Sequence, residues 1–136
     1  MVGTEGKHIV FDVWGADKGK LNDVRYIQEL LLEAAKLAEA TTLHSFFHQF
    51  DPDGITGVVV VSESHISIHT WPGEGFASVD VYTCGNKCFP ERAVKYITEE
   101  LEGKCCNVIG IDRGSRPRSL EDMTPAKGGV TTDEKE

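Results

Sequence analysis

Two hydrophobic periods alternate along the chain, and their order predicts its elements. "KHIVFDVW" (7–14) alternates apolar with polar positions and is rich in β-branched and aromatic residues, as a strand requires. Gly15 to Gly19 read as a loop. In "LNDVRYIQELLLEAAKLAEA" (21–40), Val24, Ile27, Leu31, Ala34 and Ala38 fall at helical spacing among strong helix formers. "TTLHSFFHQF" (41–50) predicts a strand ended by the turn signal "DPDG" at 51–54. "TGVVVVS" (56–62), "HISIHTW" (65–71) and "FASVDVYT" (76–83) read as successive strands, the last two separated by the loop "PGEG". "FPERAVKYITEEL" (89–101) has a proline near its start and Val94, Ile97 and Leu101 on one stripe, which predicts a second helix. "CCNVIGID" (105–112) closes the series as a strand.

The order β-α-β-β-β-β-α-β predicts an α+β fold with helices on one face of a mainly antiparallel sheet. Alternation describes both faces. Phe76, Ser78, Asp80, Tyr82 and Cys84 point one way, and Ala77, Val79, Val81 and Thr83 the other; His65, Ser67, His69 and Trp71 likewise oppose Ile66, Ile68 and Thr70. The helices can cover the apolar face. The second face is too aromatic and too rich in reactive groups to be merely solvated, so a second copy of the chain or a ligand is expected over it. From Arg113 onward periodicity is lost and the sequence turns polar, giving one domain over 1–112 and a flexible tail over 113–136.

Composition narrows the function. The chain has 136 residues, 40% hydrophobic and 26% charged, enough for one self-standing core. Its net charge of −8 argues against nucleic acid or an anionic membrane as partner, since a phosphate backbone needs a basic footprint. No apolar stretch approaches the roughly 20 residues of a membrane span. "MVGTEGKHIV" has no apolar signal-peptide core, which makes the cytoplasm the expected location. In that reducing compartment Cys84, Cys88, Cys105 and Cys106 are expected as free thiols, and Cys84-x-x-x-Cys88 lacks the second pair a zinc site needs. No metal is expected.

The chemistry concentrates in residues 56–84, where a run of valines leads into Ser62-Glu63-Ser64-His65. "SESHISIHTWP" (62–72) and "VDVYTCG" (79–85), supported by "FHQFDPDGITGVVV" (47–60), resemble the S-adenosylmethionine decarboxylase family in its short bacterial and archaeal form. That family consists of pyruvoyl enzymes made as self-cutting proenzymes. The residue types suit such chemistry. Decarboxylating an α-amino acid needs an electron sink conjugated to the substrate amine, which no standard side chain supplies. A serine becomes that sink when its hydroxyl attacks the preceding carbonyl to give an ester, elimination leaves a dehydroalanine, and hydrolysis releases ammonia from a new pyruvoyl group.

The resemblance places the cut between Glu63 and Ser64, giving a β chain, 1–63, and an α chain, 64–136, that begins with the pyruvoyl group. It implies a Schiff base at that group, with neither pyridoxal phosphate nor metal, and Cys84 as the proton donor to the decarboxylated carbon. It assigns His69 to processing, through base chemistry on the ester. Thr56 stands where the family usually has a serine hydrogen-bonded to the reacting carbonyl. Phe50 matches an aromatic that stacks on adenine. It also implies a homodimer or higher homo-oligomer, assembled as an α-β-β-α sandwich, acting on a small molecule in polyamine biosynthesis. Strict alternation puts Ser64 and His69 on opposite faces, so their meeting requires a bend or bulge near Ser64.

One position departs from the family pattern. The glutamate expected after "IHTWP", which binds ribose, is replaced by Gly73, and Glu74 follows it. A shifted loop would bring Glu74 to that role; otherwise nucleoside recognition is lost, as in relatives that act on L-arginine or L-ornithine. S-adenosylmethionine is the favoured substrate, those amino acids the alternative, and an inactive regulatory homologue a lesser one, since Ser64, His69 and Cys84 are all present. His8, His44 and His48 have no assigned role, and histidines four apart inside β-patterned segments do not make a metal site. Asp80 and Tyr82 read as interface or core-rim residues.

Overall fold

The computed structural model describes residues 3–119, 121 and 123. Six strands form one antiparallel sheet: β1 (Gly6–Trp14), β2 (Thr41–Gln49), β3 (Ile55–Ser62), β4 (Ser64–Trp71), β5 (Phe76–Cys84) and β6 (Lys104–Arg113). Their spatial order is β2-β3-β4-β5-β1-β6. Three helices accompany them: α1 (Lys18–Leu21), α2 (Val24–Leu37) and α3 (Pro90–Glu100). The α+β class and the sheet-and-helix order are as the sequence predicts.

The single helix expected over 21–40 is two. The chain breaks at Asn22 and restarts at Asp23, whose carboxylate accepts the Tyr26 amide at 3.0 Å and caps α2. The expected loop at 15–19 therefore contains the start of α1, whose own cap is Asp17 accepting from the Lys20 amide at 2.9 Å. Arg113, read as the first residue of a tail, is the last residue of β6. Most of the tail lies outside the described residues.

α2 and α3 cover one face of the sheet. Ile27, Leu31, Ile97 and Leu101 pack with Phe11, Val13, Val59, Ile66, Ile68 and Val81 into one buried cluster. Burying a large aliphatic side chain contributes about 1.5–3 kcal/mol, so these alternating positions fix which side of every strand faces the helices. The opposite face is left open. Register places Trp14 beside Phe76, Ile109 beside Val10 and Phe46 beside Val58 on it. Trp14, Phe46, Trp71 and Ile109 are all exposed there.

Candidate active site

The site residues expected from the sequence fall into two groups at opposite ends of β4. The first is built around the β3–β4 register. Thr56 pairs with His69 across the strands, and Thr56 Oγ1 lies 3.0 Å from Nδ1 of His69. A cavity of about 490 Å³ opens beside them, lined by Phe50, Thr56, His69, Trp71 and Glu74 among others. Its floor is rigid for identifiable reasons. Thr70, buried on the helix side, donates to the Leu21 carbonyl at 2.8 Å and accepts the Ile55 amide at 2.9 Å. Asn22 Oδ1 accepts from the Gly54 amide at 3.0 Å and from Gln49 Nε2 at 2.8 Å, which ties the 51–54 turn to the start of α2. Gly54 has φ +104°, and a Cβ there would meet the Thr70 carbonyl at 3.1 Å, so the turn needs glycine. Gly73 and Glu74 belong to a short 3-10 turn (Pro72–Glu74), and both line the same cavity as Phe50.

Ser64 forms the second group, at the other end of β4. Val61 pairs with Ser64, which leaves Ser62 and Glu63 as the turn between β3 and β4. Their connecting peptide bond is cis. Ser64 itself has φ +131°, a region a serine seldom occupies and one that costs about 1–3 kcal/mol when held by its surroundings. Its cross-strand partner on β5 is Thr83, so Cys84 follows directly alongside, half-buried and with a free thiol. Glu63 Oε1 is buried without a hydrogen-bond partner among the described residues, a rare condition for a carboxylate oxygen.

The structure therefore brings Thr56 together with His69, and sets Ser64 beside Glu63 in the chain and one register position from Cys84, but does not join one set to the other. Ser64 and His69 lie on one strand five residues apart, which is roughly 16 Å of extended chain at about 3.3 Å per residue. The irregular backbone at Ser64 does not shorten that distance. Within a single chain the two residues do not meet.

A third set of residues was not recognised in the sequence. His8, His65, Asp80, Ser67 and Tyr82 cluster next to Ser64 on the open face. Nε2 of His8 and Nε2 of His65 each lie 2.7 Å from Asp80 Oδ2, and the Ser67 hydroxyl donates to Asp80 Oδ1. The His8 ring stacks on Tyr82 with centroids 4.9 Å apart. Burial by itself pushes the Asp80 carboxyl up, but the hydrogen bonds from Ser67, His8 and His65 outweigh it and hold the group below the ordinary aspartate range. The one available signal was alternation, which put Asp80, Tyr82 and His65 on a common face. Sequence alone could not say that β1 lies against β5.

Comparison with known proteins matches this frame. The family model described as S-adenosylmethionine decarboxylase covers residues 7–114. The chain is 44% identical over 118 residues to S-adenosylmethionine decarboxylase proenzyme 2 of Halalkalibacterium halodurans, covering 87% of this chain and 93% of that one. It is also 44% identical over 132 residues to the S-adenosylmethionine decarboxylase proenzyme of Pyrococcus furiosus, covering 97% and 93%. Among solved structures it is similar to the adenosylmethionine decarboxylase of Aquifex aeolicus, with a TM-score of 0.72, 42% identity, and coverage of 88% of this chain and 97% of that one. Family match, high identity over nearly full length and a shared fold agree: the chain belongs to the S-adenosylmethionine decarboxylase family.

Proposed function

We propose that this protein is a cytoplasmic, self-processing decarboxylase that cuts itself between Glu63 and Ser64 and acts on S-adenosylmethionine. The observation that carries the proposal is the conformation of Ser64. A hydroxyl-bearing residue stands at a tight turn with φ +131°, half-buried, with the Cys84 thiol beginning one position along the adjoining strand. That arrangement suits a pyruvoyl group formed from Ser64: the chain can present it at the end of a strand and place a proton donor beside it. Once formed, such a group supplies the electron sink that a decarboxylase needs. Cys84, one residue past the cross-strand partner of Ser64, is the thiol that would hold and deliver a proton there. Thr56 fixes the ring of His69 through its hydroxyl, leaving Nε2 for processing chemistry.

Because Ser64 and His69 lie at opposite ends of one face, a second copy completes the site. An isologous contact whose two-fold axis crosses the strands overlays the Ser64 end of one sheet on the other end of its partner. His69 of the partner subunit then approaches Ser64, and the exposed Trp14, Phe46, Trp71 and Ile109 are covered between two sheets packed roughly 10 Å apart. The same packing closes the Phe50 cavity over the nucleoside. Glu74 lining that cavity supports S-adenosylmethionine over arginine or ornithine, since a carboxylate there can receive ribose hydroxyls.

The test has two readouts on the purified protein. Mass spectrometry is expected to find chains 1–63 and 64–136, the second with a blocked amino terminus. Carbon dioxide release is expected from S-adenosylmethionine and not from arginine or ornithine supplied in parallel. An active preparation consisting only of the uncut chain overturns the proposal.

A further inference from the structure

The cluster around Asp80 has a hydrogen-bond order that extends to Ser64. His8 on β1 and His65 on β4 both sit across from Tyr82 of β5, one on each side. Asp80, two residues along β5, accepts from both imidazoles at 2.7 Å. At the outer end Arg113 Nη1 lies 3.2 Å from Nδ1 of His8, with its guanidinium carbon 4.6 Å from the Tyr82 ring centre. With both imidazoles in their neutral form, one placement of protons satisfies every contact. A guanidinium donates only and an ionised carboxylate accepts only, so His8 accepts at Nδ1 and donates from Nε2. His65 likewise donates to Asp80 from Nε2, which leaves its Nδ1 lone pair bare. That lone pair lies 3.5 Å from Ser64 Oγ. In a regular strand Ser64 and His65 would point to opposite faces; the positive φ at Ser64 takes its hydroxyl out of that pattern.

The result is a hydroxyl, an imidazole and a carboxylate in series, the arrangement that activates a weak oxygen nucleophile. We propose that His65 is the base that takes the Ser64 hydroxyl proton in the first step of self-cleavage, and that Asp80 is the positioning residue that aims its Nδ1. This inference rests on the reading of Ser64 as the cleavage residue. The proton passes from Ser64 Oγ to His65 Nδ1 as Oγ bonds to the Glu63 carbonyl carbon. The tetrahedral centre then collapses, the bond from that carbon to the Ser64 nitrogen breaks, and His65 returns the proton to the nitrogen. An amide becomes an ester, with no atom gained or lost and no change of oxidation state. His69 of the partner subunit is left for the later elimination, so two histidines serve two successive steps.

His8, His65 and Asp80 could be taken for a cation site, since they offer ligand atoms within 4.8 Å of one another. Both Nε2–Oδ2 contacts are of hydrogen-bond length, however, and each needs the proton that a metal would displace.

The experiment follows cleavage of freshly made precursor for the parent, His65→Ala, His65→Gln, Asp80→Asn, Asp80→Glu and His69→Ala. Losing the base is expected to slow cleavage by about 100-fold or more, with added imidazole restoring part of the rate to His65→Ala. His65→Gln keeps a donor for Asp80 but no base, and is expected to melt like the parent and remain uncut. Asp80→Asn is expected to slow cleavage, and Asp80→Glu to recover part of it. Hydroxylamine, which cuts esters and spares amides, separates the two histidines: it cleaves stalled His69→Ala and leaves stalled His65→Ala intact. Parent-like cleavage by both His65 variants, an ester accumulating in His65→Ala, or loss of cleavage on adding a chelator overturns the inference. Failure of the underlying reading shows differently, as a parent that never cuts at 63–64 or a Ser64→Ala chain that does.

Discussion

Thr56 shows how a single hydroxyl engages one nitrogen of a neighbouring imidazole. Its Oγ1 lies 3.0 Å from Nδ1 of His69 on the facing strand, and that contact decides which ring nitrogen is free. Thr56→Ser keeps the hydroxyl and is expected to change the processing rate by no more than a few-fold. Thr56→Val keeps the shape and loses the bond, and is expected to slow processing by about 10–100-fold, read as the half-time of precursor loss on a denaturing gel. Asp80 gives a prediction in pH. Its carboxyl is held below the ordinary range, so the folded state favours the charged form. The associated stability is fully present above the unfolded value, about 3.9, and is lost as pH falls through the lower folded value. Calorimetric melting temperatures of parent and Asp80→Asn, compared from neutral pH downward, are expected to converge in acid. A constant gap at all pH values would mean that Asp80 contributes through packing rather than charge. Thr56, His69, Ser64 and Cys84 could be singled out in the sequence because they lie in three continuous motifs. His8, His65 and Asp80 were not, because they come from three strands and their adjacency depends on the order β4-β5-β1.

Strands and helices were legible to the extent that each carries its own period. β4 alternates cleanly, with Ile66 and Ile68 fully buried and His65, Ser67 and His69 on the other side. That division lets one strand serve both core and site. Ile68→Ala removes buried aliphatic volume between Gly57 and Val79 and is expected to cost about 2–5 kcal/mol, measured by urea unfolding of the Ser64→Ala precursor to keep the chain in one piece. Phe46→Ala, on the exposed face of β2, is expected to leave unfolding of the isolated subunit nearly unchanged. α1 escaped recognition because it has four residues, too few for a period to show. The break between α1 and α2 left a trace, Asn22-Asp23, whose side chains compete with the helical backbone. Those residues have separate tasks: Asp23 caps α2, and Asn22 holds the turn that carries Phe50. A helix terminus and a cavity wall are thereby fixed together.

Sequence periodicity ends where the whole molecule begins: alternation marks the polar face as one that a second copy or a ligand covers, but does not say which of the two. The separation of Ser64 from His69 along β4 bears on that choice. A strand cannot fold back on itself over roughly 16 Å, so either His69 has no part in processing or it acts across an interface. The two possibilities respond oppositely when defective chains are mixed. Neither Ser64→Ala nor His69→Ala is expected to cut when made alone. Co-expressed, they form mixed dimers in which one site joins Ser64 from the His69→Ala chain with His69 from the Ser64→Ala chain. That site is whole. The His69→Ala chain is therefore expected to be cut at 63–64, in a fraction set by the share of mixed dimers, while the Ser64→Ala chain stays intact. Mass tags on the two chains distinguish them. A site assembled within one chain predicts no cutting in any mixture, because neither chain holds both residues. Phe46→Ala supplies the control for assembly: by weakening the contact between sheets it is expected to lower complementation as it lowers the dimer fraction in sedimentation. If complementation instead persists in a demonstrably monomeric background, the two-fold arrangement of the open faces is wrong.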